Sequence, residues 1–129
     1  MSRVCQWGLY NWFDEHGLDL VHPDDVDAFR AFTPQGRLFH CVSEDANYLT
    51  LQHGESRFRV KPDLFTPVPP PRYHLGQQVP IRRGTNIVTV TICDIVWHFR
   101  KERPYYRVIV DGKRSGKQYW DEDFEVDGR

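Results

Sequence analysis

The stretch 87–126 constrains the fold of this chain more than any other. It reads IVTVTICDIVWHF, a charged turn RKERP, YYRVIVDGKRSGKQYW and then DEDFEV. Val88, Val90 and Ile92 alternate with Thr89, Thr91 and Cys93, the period of a strand with one buried face. The phase slips near Asp94, after which Ile95, Trp97 and Phe99 carry the apolar face onward. A one-residue slip inside a long strand predicts a β-bulge or sharp bend, the corner that a small barrel needs. Arg100–Pro104 reads as a five-residue hairpin loop, and Tyr106, Val108 and Val110 as the returning strand. Asp111-Gly112 is a turn, and Lys117–Trp120 the next strand.

The rest of the chain follows the same grammar. Trp7 and Leu9 alternate as a short strand, and the aromatics Trp7, Tyr10, Trp12 and Phe13 predict an end docked on the body of the domain. His22-Pro23-Asp24-Asp25-Val26 opens a helix over about 23–32. Asp24, Asp25 and Asp27 lie where the helix dipole favours acids, and Val26, Phe29 and Phe32 form an apolar face. Strands are expected over 36–42, 48–52 and 56–60, with polar or glycine turns between them. Pro67 to Pro71, with Val68 among four prolines, reads as a stiff connector short of the backbone donors a sheet requires. Beyond it, Gln77 to Ile81 is a first strand and Arg82–Asn86 a loop.

Two units are therefore expected, residues 1–68 and 69–129. They echo one another: Tyr48 to Gly54 and Tyr106 to Gly112 space strand and turn glycine alike. Val60-Lys-Pro-Asp-Leu64 and Trp120-Asp-Glu-Asp-Phe124 likewise place an acidic turn between apolar residues. That pattern suggests duplication.

Strands around a bend, a hairpin, a glycine turn and a DEDFE-type turn together resemble the SH3-like or Tudor-like small barrel. The resemblance covers 73–127 well and 36–68 less well. It implies a mainly β chain of two SH3-like barrels in tandem, with one short α-helix in the N-terminal half. It also implies binding of peptides, modified side chains or nucleic acid rather than catalysis. The opening WGLYNWFDE with HPDD resembles an uncharacterised bacterial family of unknown function.

Motifs for chemistry are missing from the sequence: no GxSxG, Walker loop, GxGxxG or HExxH. Cys5, Cys41 and Cys93 have neither CxxC nor zinc spacing, so no metal and no cofactor is expected. With no long apolar run, no membrane span is expected, and the cytoplasm is the expected location.

Charge is uneven. Residues 1–69 carry six Lys/Arg against ten Asp/Glu, and 70–129 carry eleven against eight. Arg82, Arg83, Arg100, Lys101, Arg103, Lys113, Arg114 and Lys117 fall in loops or at strand ends, where turns on one rim of a barrel can bring them together. Beside the aromatics Trp97, His98, Phe99, Tyr105 and Tyr106, which flank the Arg100–Pro104 loop, they hold the ingredients of nucleic-acid binding. The favoured reading is instead protein or peptide binding, in a groove made by Tyr105, Trp120 and neighbouring loops, or at an edge strand. Nucleic acid is the alternative.

Overall fold

The computed structural model describes residues 2–126. The chain divides into two compact units, Met1–Pro70 and Pro71–Arg129. Both are built on antiparallel sheets, so the protein is mainly β.

In the first unit the strands are β1 (Trp7–Tyr10), β2 (Phe39–Glu44), β3 (Leu49–His53), β4 (Ser56–Val60) and β5 (Phe65–Val68). Their order in the sheet is β4-β3-β2-β1-β5. The one α-helix among the described residues, α1 (Val26–Phe32), lays Phe29 into the core. The Phe29 ring lies 4.8 to 6.0 Å from those of Phe58, Trp12, Phe39 and Tyr10. Burying one such ring is worth about 2–3 kcal/mol. The aromatic opening docks through Tyr10 and Trp12, which are both buried, whereas Phe13 is 48% exposed. Their polar ends are bonded: Tyr10 Oη donates to Lys61 O at 2.5 Å and Trp12 Nε1 to Gly17 O at 2.9 Å.

Two expectations for this unit are corrected. The helix starts at Val26, three residues after Pro23, with Asp25 in the N-cap position but making no cap with its side chain. The Asp25 carboxylate is taken instead by Arg59, on β4. The proline-rich connector, in turn, begins inside the sheet: Pro67 pairs with Gly8 and Val68 with Trp7. Because β5 is an edge strand, a proline without an N–H is tolerated there.

The second unit is a meander of β6 (Gln78–Arg83), β7 (Asn86–His98), β8 (Arg103–Val110) and β9 (Lys113–Arg114), in the order β6-β7-β8-β9. Asp111 and Gly112, with φ of 51° and 78°, make the two-residue turn between β8 and β9 whose left-handed backbone matches strand twist. The register of β7 on β8 shifts between Ile92 and Asp94, where the sequence slips phase. Val90, Ile92 and Ile95 therefore share a buried face with Tyr106 and Val108 despite the odd spacing. Phe99 does not continue that face; it is 60% exposed in the turn.

Three boundaries differ here too. Arg82 and Arg83 belong to β6, which pairs through to Arg83↔Asn86. Arg103 and Pro104 belong to β8, paired with His98 and Trp97, so the hairpin turn is shorter than expected. Lys117–Trp120 is not a continuous strand. The chain leaves β9 at Arg114 and rejoins β8 at one bridge, Tyr106↔Tyr119. Both sheets are open in their hydrogen bonding among the described residues.

Candidate functional site

Successive turns of an antiparallel meander lie at alternate ends of the sheet. That rule divides the candidate residues of the turns into two groups. Arg82 and Arg83 end β6, and Lys113 and Arg114 follow the β8–β9 turn, so these four share one end. Arg100, Lys101 and Arg103 belong to the β7–β8 turn at the other end. From Val90 to His98 is eight residues, about 26 Å of extended strand. One continuous basic rim is therefore not formed.

The β7–β8 end carries an aromatic patch. His98 pairs with Arg103 and Val96 with Tyr105, so the side chains of all four stand on one face. Trp120 reaches the same place because the chain after β9 runs back along β8, rejoining it at Tyr119. The rings of Tyr105 and Trp120 are 5.7 Å apart, and that of His98 lies 5.5 Å from Trp120 and 6.2 Å from Tyr105. Cations stand over these rings: Lys101 Nζ at 4.8 Å and Arg103 Cζ at 4.9 Å from Trp120, and Arg107 Cζ at 5.7 Å from Tyr105. All three rings are half-buried.

Local hydrogen bonds hold the patch. Lys101 N donates to His98 Nδ1 at 3.1 Å, fixing the imidazole against the turn. Trp120 N donates to Asp123 Oδ2 at 2.8 Å, and Arg107 Nη1 to Gly116 O at 2.9 Å. The acidic 3-10 turn Asp121–Phe124 supplies Glu122, whose carboxylate meets Arg103 Nη2 at 2.6 Å. That hydrogen bond lowers the Glu122 carboxyl below its ordinary range and raises the Arg103 guanidinium. Phe124 anchors the turn among Tyr73, Tyr106 and Tyr119.

At the opposite end the cations are partly engaged. Arg83 faces Asp111 at 3.7 Å, and Arg114 Nη2 donates to Asp94 Oδ2 at 3.1 Å. Asp94 is buried at the bulge, on the face that carries Arg107. Lys117 Nζ stands 5.1 Å from the Tyr119 ring. Sequence reasoning did not select Arg107, Glu122 or Asp94 for the site, and placed His98 only among the aromatics flanking the β7–β8 turn. Arg107 was within reach, since strand alternation counted across the bulge puts it on the face of Tyr105. Glu122 and Asp94 find their cations 19 and 20 residues away, which no local pattern shows.

Among the described residues, no group of three His, Cys, Asp or Glu side chains could hold a metal ion, and no helix is long and apolar enough to cross a membrane. No curated protein and no solved structure matches the chain. The chain belongs to a family of unknown function (DUF6960), whose model matches residues 1–125 and so extends well past the opening that resembles such a family.

Proposed function

We propose that this protein is a non-catalytic binding or adaptor module that takes an extended peptide across the Tyr105–Trp120 patch. The observation that carries this reading is the cluster of His98, Tyr105 and Trp120 on one open face, ringed by Lys101, Arg103 and Arg107. Half-buried rings offer flat apolar surface at little entropic cost, which suits an extended chain carrying prolines. The meander with its bent β7 and closing 3-10 turn is consistent with an SH3-like barrel, and the first unit with a more distant tandem copy. Three free cysteines fit a reducing cytoplasm.

A groove is a better site than the edge of β6. In the two-residue hairpin of β6 and β7, alternation turns the backbone of Pro80 outward, where it has no N–H to offer an added strand. Nucleic acid is the weaker reading. Its basic residues stand at two ends of the sheet, and Arg103 is already held by Glu122 at 2.6 Å.

The test is a two-dimensional NMR titration of the labelled full chain with ten-residue proline-containing peptides, and separately with short oligonucleotides. Shifts at His98, Lys101, Tyr105 and the Trp120 indole with peptide, lost in Trp120→Ala, are the expected result. Movement of these signals with oligonucleotide alone would overturn it.

A further inference from the structure

We infer that the opposite end of the meander holds a second site, one for a compact phosphate group. A depression there is lined by Arg83, Lys113, Arg114, Ser115 and Tyr119, with Asp111 and Val110. Its cations come from two neighbouring turns, which antiparallel order places side by side.

Four of the lining side chains, Arg83, Lys113, Arg114 and Ser115, can meet an oxyanion. Arg114 is held from behind: Asp94, with 2% of its side chain exposed, accepts one of its N–H groups, and Arg114 itself stays 55% exposed. Its other donors have no acceptor among the described residues, so the guanidinium keeps N–H groups free for an anion. Arg83 has only a loose partner, since Asp111 lies at 3.7 Å, beyond hydrogen-bond distance, and is 92% exposed. Such a pair exchanges readily for a better anion. Lys113 makes no ion pair among the described residues. Ser115 Oγ accepts the Lys117 N–H at 3.2 Å, which leaves its hydroxyl proton to donate.

Arg83, Lys113 and Arg114 stand against Asp94 and Asp111, three cations to two carboxylates. A small anion suits that excess and the concave shape. A long polyanion does not, because the next basic turn is at the far end of the sheet.

The experiment titrates the labelled full chain with inorganic phosphate, O-phosphoserine, a thymidine octanucleotide and sodium chloride at matched ionic strength. Saturable shifts at Arg83 and residues 111–115 with the first two, and none with chloride, are expected. Arg83→Gln and Lys113→Gln, both at exposed positions, should each weaken binding about tenfold while the rest of the spectrum stays in place. Saturation by inorganic phosphate alone would make the ligand the free ion; tighter binding of O-phosphoserine would make it a phosphomonoester. Either upholds the site. The inference is overturned if phosphate acts as chloride does, or if only the octanucleotide moves these amides. Neither result touches the Trp120 patch, which is read from different signals.

Discussion

Asp25 closes the outer edge of β4 by holding Arg59 three times over. Its Oδ2 accepts the Arg59 backbone N–H at 2.8 Å and Nε at 2.9 Å, while Oδ1 accepts Nη2 at 3.1 Å. The Arg59 carbonyl accepts from His22 N at 2.9 Å, and Lys61 N donates to Leu20 O at 2.8 Å. The segment before α1 thus covers an edge that would otherwise present bare backbone. Asp25→Ala should cost about 2 kcal/mol in chemical denaturation, since it strands a backbone donor and an arginine together. Arg59→Ala should cost less, because the smaller side chain still leaves its N–H bonded to Asp25. Equal losses would argue against the backbone bond as the larger part.

The same pair gives stability a pH dependence of fixed sign. Hydrogen bonding from Arg59 holds the Asp25 carboxyl below its ordinary value. A carboxyl depressed in the folded state contributes stability above its unfolded pKa of about 3.9, and loses it as pH falls through the folded value. The difference in stability between wild type and Asp25→Asn should therefore be constant above about pH 5 and shrink below about pH 4. A difference that grows on acidification would contradict the assignment.

Gly8 is a packing requirement rather than a turn. A Cβ there would lie 2.6 Å from the Phe65 ring and 2.8 Å from the Thr66 carbonyl, so ring and backbone both have to move. Gly8→Ala should cost about 1–3 kcal/mol through overpacking between β1 and β5. Thermal denaturation measures it, and an unchanged midpoint would mean that β5 sits more loosely than described.

What was legible in the sequence was whatever depends on neighbours along the chain. Alternation located the long strand β7, and the slip near Asp94 located its bulge. Asp111-Gly112 announced its own turn. What was hidden depends on partners distant in sequence. Asp25 reads as a helix-start acid, and only β4, 34 residues on, shows where its carboxylate goes. Pro67 reads as a sheet breaker until the edge position of β5 is known. Tyr105 and Trp120 could be named as a pair, but their meeting with His98 rests on the return of the chain beside β8. The basic loops were harder still, because charge clustering in sequence says nothing of which end of a sheet each turn occupies.

Tyr106 offers a test of the ground beneath the patch. Its ring is buried, and burial, with Asp121 beside it, raises its phenol above the ordinary value. Yet neither Tyr106 Oη nor Asp121 Oδ1 makes a hydrogen bond of good geometry. Removing a buried hydroxyl without a partner costs little, so Tyr106→Phe should change stability by less than about 0.5 kcal/mol or increase it. A loss above about 1 kcal/mol would reveal a bond, direct or through water, to Asp121.

Salt separates the peptide reading from its rival. Stacking on Tyr105 and Trp120 is mainly apolar, so peptide affinity should change less than about threefold between 50 and 300 mM salt. Phosphate-backbone binding by several cations would fall by orders of magnitude over that range. Charge reversal gives the spatial counterpart. Arg82→Glu, at the far end of the meander, should leave peptide binding unchanged, whereas Trp120→Ala should abolish it. Lys101→Glu should have an intermediate effect, because the lysine covers the indole without being the surface that binds. Calorimetry on the three variants reads all of this at once. Equal weakening by Arg82→Glu and Lys101→Glu would mean that long-range charge, rather than the rings, holds the ligand.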